Sequence, residues 1–324
     1  MTAKEYASRL DEHLASLLER FKSGTYWAPP VRRVHIPEGD GVTTRPIGIP
    51  TFEDKVLQRA VTMVVEAVYE QDFLDCSWGF RPGRSAHEAL ETLREGLKKM
   101  KGGWVLDVDI KSFFDAIDHG QLRSFLDQRV RDGVLRRMID KWLKAGVLEE
   151  GAVHYPDGGT PQGGVISPLL ANVYLHHVVD TWFEAMARPK LRGEAFMVRY
   201  ADDFVIVCEL QGDAEKLMAV LPKRFGKYGL KLHPEKTRLV RFTKPPFKSP
   251  GTGGGEGGSA TFDLLGFTHY WRRSFGNRAW VIQRKTASSR LSRSIRRVTE
   301  WCRLNRHLDI AEQCKALASK LRGH

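Results

Sequence analysis

The segment that most limits what this chain can fold into is residues 196–207, Phe-Met-Val-Arg-Tyr-Ala-Asp-Asp-Phe-Val-Ile-Val. Two short apolar runs, 196–200 and 204–208, are separated by only Ala201, Asp202 and Asp203. So few residues can only reverse the chain, so the pair predicts an antiparallel hairpin. Apolar residues through both runs, Arg199 apart, predict burial on both faces of a sheet. The two adjacent acids then gather at one sheet end, where like charges repel and a cation must compensate. Hard carboxylate oxygens suit Mg²⁺. An Asp-Asp turn simply exposed to water is the plainer alternative for this dipeptide taken alone.

A second source of acids is residues 104–115, WVLDVDIKSFFD, whose first part predicts a strand over 104–109. Side chains alternate along a strand, so Asp107 and Asp109 share a face. Such charges are costly unless paired or metal-bound. We expect Asp107 to pair with a nearby base and Asp109 to remain for a metal. Two metal ions about 4 Å apart, held by carboxylates from two strands, can grip an attacking hydroxyl, a phosphate and its leaving oxygens.

The remaining pattern mixes helices with strands. A 3.6-residue periodicity predicts a helix over 3–21, with Tyr6, Leu10, Leu14, Leu17 and Phe21 on one face. Strands are predicted over 31–36 and 45–50, and a helix over 53–69. Ser85 and Glu88 are spaced as a capping box that opens a helix reaching to about 100. Two helices follow between about 119 and 146, then a hairpin over 147–158 turning at Glu150-Gly151. Helices over 167–185 and 213–228 flank the Asp-Asp hairpin, and a strand follows at 236–242. The Pro/Gly-rich stretch 244–260 reads as a connector and holds no GK[ST] phosphate loop. Strands around 264–271 and 279–283 precede C-terminal helices from about 287. Together these predict an α+β fold; no βαβ series with a glycine-rich turn supports a dinucleotide-binding fold.

Charge points to a partner. Lys and Arg outnumber Asp and Glu by 51 to 39, a formal +12, which suits a polyanion such as nucleic acid. On the last long helix, Ile295, Val298 and Cys302 fall within about 40° of Leu291, with Arg290, Arg293, Arg296, Arg297 and Arg303 away from that stripe. An arginine face of this kind suits contact with a phosphate backbone, which gives affinity without sequence choice; a solvated helix surface is the alternative. Cys76, Cys208, Cys302 and Cys314 have no CxxC spacing, which speaks against a zinc site or a disulfide framework and for a reducing compartment. No run is long and apolar enough for a signal peptide or a membrane span, so no membrane partner is expected and a cytoplasmic, nucleic-acid-associated location is.

Seven ordered segments spanning roughly residues 20–270 resemble the motifs of reverse transcriptases of the group II intron-encoded type. YADD at 200–203 is similar to their central motif, and VDIKSFFD at 108–115 to their first palm motif. GTPQGGVISPLLAN at 159–172 resembles the nucleotide-side motif. RPIGIPTFEDKVLQ at 45–58 and GFRPGRSAHEAL at 79–90 resemble finger motifs. GLKLHPEKTRLV at 229–240 and LLGF at 264–267 resemble the later palm motifs.

The resemblance implies a right-hand polymerase: fingers and palm over 31–270 with an antiparallel palm sheet, a helical extension over 1–30, and a partial thumb or start of a maturase region over 271–324. Asp109, Asp202 and Asp203 match the acids that bind two Mg²⁺ ions. Phe114 matches the bulky gate beneath the sugar, favouring dNTPs over NTPs. Arg45 matches a finger arginine on the triphosphate. Gln162 and Gly163 match the nucleotide pocket, and Lys236 a lysine near the leaving pyrophosphate. Leu265, Gly266 and Phe267 match the primer grip. Arg290, Arg293 and Arg297 would track the template–primer backbone. The implied partners are an RNA template, with group II intron RNA as one candidate, a DNA or RNA primer, and dNTPs.

Two departures stand out. Glu38 occupies a turn where relatives carry lysine, removing one cation near the triphosphate. The chain also ends at LASKLRGH, where group II proteins continue into maturase and endonuclease regions, which are expected to be absent here. A maturase-type RNA-binding splicing partner and a domesticated or antiviral-defence reverse transcriptase are the alternatives within the resemblance. An RNA-dependent RNA polymerase would carry GDD and a smaller gate.

Overall fold

A computed structural model describes residues 2–37, 44–149, 151–155, 158–160, 163–245, 260–274, 276 and 279–322. The expected lysine-replacing turn at Glu38, Gln162, the hairpin residue Glu150 and most of the 244–260 connector lie outside them.

The N-terminal periodicity yields two helices, α1 (Ala3–Ala7) and α2 (Leu10–Ser23). Thr2 and Glu5 form a reciprocal capping box on α1. The break at Arg9, with φ −136° and ψ 51°, turns the second helix out of phase with the first. Tyr6 and Leu17 are therefore buried while Leu10 and Leu14 face solvent, correcting the single-faced helix expected from spacing alone. Strands β1 (Val31–Pro37) and β2 (Thr44–Ile49) pair antiparallel, and Thr51 caps α3 (Phe52–Tyr69). Helix α4 (Ala86–Lys99) opens on the expected Ser85–Glu88 box.

Strand β3 (Gly102–Val108) leads into the single turn α5 (Phe113–Ala116), then α6 (His119–Leu126) and α7 (Gly133–Leu143). β4 (Val147–Glu149) and β5 (Ala152–His154) form the expected hairpin, and β4 joins β1 in parallel. α8 (Ser167–Leu175) continues through two π-helical turns, His176–Asp180 and Phe183–Ala187. The Asp-Asp hairpin is β6 (Ala195–Tyr200) and β7 (Asp203–Cys208). After α9 (Gln211–Gly226) come β8 (Arg238–Thr243), β9 (Phe262–Leu264), β10 (Phe267–Arg273) and β11 (Trp280–Thr286). Helices α10 (Ser288–Asn305) and α11 (Ile310–Arg322) close the described chain.

The sheet that matters is antiparallel, in the order β6-β7-β3-β8. Both its faces are buried, as its continuous apolar strands require. Leu106, Val108, Met197, Phe204 and Ile206 enter one core with helices α3, α6, α8 and α9. Val105, Val198, Val205, Val207 and Phe242 enter a second core beneath α4 and the β11-β10-β9 sheet. Packing from both sides holds the sheet as a fixed platform, and the loops at one end carry the acids. Among the described residues, no helix is long and apolar enough to cross a membrane.

Candidate functional site: a carboxylate cleft at the end of the central sheet

Tyr200 and Asp203 are the last partners of the β6–β7 ladder, leaving Ala201 and Asp202 to make the turn. Ala201 sits at φ +56°, in the left-handed region that costs a side-chain-bearing residue about 1–2 kcal/mol. Next door, β3 pairs Val108 with Phe204, so Asp109 emerges beside Asp203.

The backbone of Asp109 is held from the other side by the 231–237 segment. His233 N donates to Asp109 O at 2.8 Å, and Lys111 N to Lys231 O at 2.8 Å. Thr237 Oγ1 lies 3.4 Å from both Asp109 N and Asp109 O. Asp107 is taken by Arg238, with Nε 3.2 Å from Oδ2, as expected of it. Asp109 has a looser cationic neighbour, Lys236 Nζ, 3.6 Å from Oδ2.

Asp109, Asp202 and Asp203 line one cleft of about 730 Å³, together with Arg45, Phe114 and Gly163. A second cleft of about 360 Å³ is lined by Asp109 and Asp203 with Leu265 and Gly266. The carboxylates feel one another. Loss of hydration, then repulsion from Asp202, Asp109 and Asp107, pushes the Asp203 carboxyl up to about 6, against the pull of Lys236. Asp202 is raised by loss of hydration and by Asp109, while its own backbone N–H, Arg45 and Arg199 oppose the rise. Asp203 itself remains open to solvent, so salt screens this repulsion in part.

The rim is built from close backbone contacts. Ser112, at φ +48°, starts α5 and so places Phe114 in the cleft wall. The Phe114 carbonyl accepts from Thr160 N at 2.8 Å, and its ring meets Phe113 edge-on at 5.4 Å. Gly163 has φ +115°, and a Cβ there would come 2.6 Å from Gly48 O in β2. Gln58 fixes the same loop: its Oε1 accepts from Val165 N at 2.7 Å, and its Nε2 donates to Asp54 at 2.8 Å. Asp54 also accepts from Trp142 Nε1 and Tyr26 OH. The segments around 45–58, 109–115 and 159–172 thus meet at one place.

Leu265 (φ +52°) and Gly266 (φ +80°) form the turn between β9 and β10, and Phe267 begins β10. Arg290 lies on that turn, donating Nη1 to Leu265 O at 3.1 Å. Arg293 and Arg297 are exposed on α10.

The donor set fits a hard divalent cation: three carboxylates, partly desolvated and mutually repelling, with no Cys among the residues lining the cleft. Among the described residues no three His, Cys, Asp or Glu side chains converge as a ready-made metal cage. Mg²⁺ commonly takes one or two carboxylates plus substrate phosphates and water, so a preformed cage is not required of such a site.

Residues 36–269 match the family described as reverse transcriptase (RNA-dependent DNA polymerase). The group II intron-encoded protein LtrA of Lactococcus lactis subsp. cremoris is 45% identical over 170 residues, covering 52% of this chain and 28% of LtrA. Protein YkfC of Escherichia coli K12 is 34% identical over 265 residues, covering 72% of this chain and 68% of YkfC. The chain therefore spans less than a third of the first of these relatives. Among solved structures, telomerase from Candida albicans, with a fragment of telomeric RNA, superposes with a TM-score of 0.57 at 15% identity, over 82% of this chain and 46% of that one. Apo telomerase from Candida tropicalis gives 0.55 at 15% identity, over 81% and 52%. At such identities the structural likeness speaks for a shared α+β polymerase fold and for nothing finer.

Proposed function

This chain belongs to the reverse transcriptase family, on its group II intron-encoded side, and on that premise we propose that it extends a primer 3′-OH with dNTPs on an RNA template. The observation that supports this reading most is the convergence of Asp109, Asp202 and Asp203 on one cleft with Phe114, Gly163 and Arg45. We take residues 31–270 as fingers and palm, 1–30 as a helical extension and 271–324 as a partial thumb.

Asp109, Asp202 and Asp203 would hold the two Mg²⁺ ions, which supply charge neutralisation at the reacting oxygens when bound. The chain's own residues do the positioning. Arg45, whose planar fork of donors matches phosphate oxygens, grips the triphosphate. Phe114 closes the space beneath the sugar, so a 2′-hydroxyl meets the ring. Gly163 lets the backbone come close to the nucleotide, and Gln162 stands next to it in the chain. The 265–267 turn seats the primer end beside Asp203, in the cleft that Leu265 and Gly266 line with it. Lys236, beside Asp109, is placed to give a proton to leaving pyrophosphate. Intron RNA as the natural template, and a DNA or RNA primer, belong to the same proposal.

The test is extension of a DNA primer on an RNA template with dNTPs and Mg²⁺, run beside the Asp109→Asn/Asp202→Asn double variant. Wild type should extend, and the variant should fall by at least about 10³-fold, as expected when charge stabilisation of a transition state is removed. Equal extension by the variant would refute the site.

A further inference from the structure

Behind the Asp-Asp turn lies an arginine whose five N–H donors are all used. Arg199 is fully buried inside β6, three residues before Asp202. Its Nε and Nη2 engage both carboxylate oxygens of Asp180, which is equally buried. Nη2 also donates to Ser77 Oγ at 2.7 Å. Nη1 donates to Asn172 Oδ1 and to Ala201 O, each at 2.9 Å.

One of these contacts reaches the turn directly and another through Gly79. Ala201 O belongs to the left-handed residue that sets the direction of Asp202. Asn172 Nδ2 donates to Gly79 O at 2.7 Å, and Gly79 presses so close that a Cβ there would come 2.5 Å from Ala201 N. The 76–79 segment is itself laid along β6: Arg199 N donates to Cys76 O at 2.7 Å, and Trp78 N to Arg199 O at 2.8 Å. The turn is thus gripped at its carbonyl from below and at its amide from the side.

A buried ion pair adds little net stability over an apolar replacement of the same shape. What a saturated guanidinium supplies is direction, since five donors in a rigid plane fix the atoms around them. We infer that Arg199, with Asp180, Asn172 and Ser77, is a positioning assembly that fixes the Ala201–Asp202 turn, so that the Asp202 carboxylate meets Asp109 across the cleft. The inference rests on the polymerase reading. None of the four touches substrate; they act through the backbone of the turn. A displacement of about 1 Å at a reacting group costs on the order of 100-fold in rate, so a loosened turn should be visible in catalysis well before it is visible in folding.

Four variants test it: Ser77→Ala, Asn172→Ala and Arg199→Lys in the assembly, and Asp213→Ala as a control. Asp213 is buried on α9 and accepts from Arg192 N and Gly193 N, so its loss destabilises the protein away from the turn. Four quantities are measured: single-turnover extension rate, dNTP KM, the melting midpoint, and Mn²⁺ affinity of the protein alone by electron paramagnetic resonance. Asn172→Ala should lose about 10- to 100-fold in rate and weaken Mn²⁺ several-fold, with dNTP KM within about twofold. Ser77→Ala should move the same way by less, and Arg199→Lys by more. Asp213→Ala should lower the melting midpoint without moving rate or Mn²⁺ affinity. Wild-type rate and Mn²⁺ affinity in both Ser77→Ala and Asn172→Ala would overturn the inference. So would a rate loss in Asp213→Ala equal to that of an assembly variant with the same melting midpoint. If wild type fails to extend any primer, the polymerase reading falls, and the Mn²⁺ titrations of the same variants still decide whether the assembly shapes the carboxylate site.

Discussion

The central sheet and the C-terminal pair of helices are held in opposite ways. Every residue of β7 after Asp203 is buried, and both faces of its sheet are packed. Neither α10 nor α11 buries a single residue. The apolar stripe expected on α10 exists, but Leu291 is 45% and Ile295 58% exposed. Helix α10 is tied down mainly at its start, where Ala287 N donates to Gly266 O and Arg290 reaches Leu265 O. One region is packed on both faces, which suits the precise placement that phosphoryl chemistry would need. The other presents charge along a surface, as contact with a backbone of phosphates requires.

The largest effect that could break this contrast is thermodynamic. Phe204→Ala should destabilise by about 3–5 kcal/mol, because it opens a cavity in a core that cannot collapse around it. Leu291→Ala should stay within about 0.5 kcal/mol, as exposed substitutions do. Urea midpoints at constant slope measure both. A large loss at Leu291 would show that α10 is integral to the fold.

The same contrast explains what is legible in the unfolded chain. Strands β6 and β7, the turn between them and the Ser85–Glu88 cap follow from local rules that their packing reinforces. The pairing of Asp107 with a base is legible for the same reason: a charge in a buried strand must be answered. Arg199 carries an identical signal, a lone charge inside an apolar strand, yet its partner Asp180 lies 19 residues back on a π-helical turn that no short-range pattern announces. Helical spacing puts Arg290 off the apolar stripe of α10, whereas its bond to Leu265 O depends on where two distant segments happen to meet. The phase break at Arg9 escapes periodicity, which sees side chains and not backbone angles. The catalytic candidates come from a resemblance whose motifs lie up to about 220 residues apart in sequence, and only the folded sheet shows three of its acids lining one cleft.

A second prediction sharpens the role of the charged arm. Arg293→Ala/Arg297→Ala should weaken primer–template binding several-fold at physiological salt, with kcat unchanged. The slope of log affinity against log salt should fall by roughly two, one for each phosphate that is no longer neutralised. Filter binding at several salt concentrations measures it. A fall in kcat at saturating primer–template would mean that α10 helps to shape the cleft.

The smallest effect concerns the crowded end of the sheet in the absence of metal. Asp203 is raised to about 6, above the ordinary aspartate range near 4. The folded state therefore holds a proton that the unfolded state has already released between those values. By linkage, stability of the metal-free protein should fall as pH rises from about 4 to about 6, and the deficit should persist at neutral pH. Asp203→Asn should flatten that slope, leaving the part due to other raised carboxyls such as Asp202, and raise the metal-free melting midpoint at pH 7 while impairing extension. Added Mg²⁺ should stabilise wild type more than the variant, because it relieves a repulsion that the variant has in lesser degree. Melting midpoints across this pH range, with and without Mg²⁺, provide the measurement. Identical slopes for wild type and variant would mean that the three acids do not press on one another, and that the sheet's precision stops short of its carboxylates.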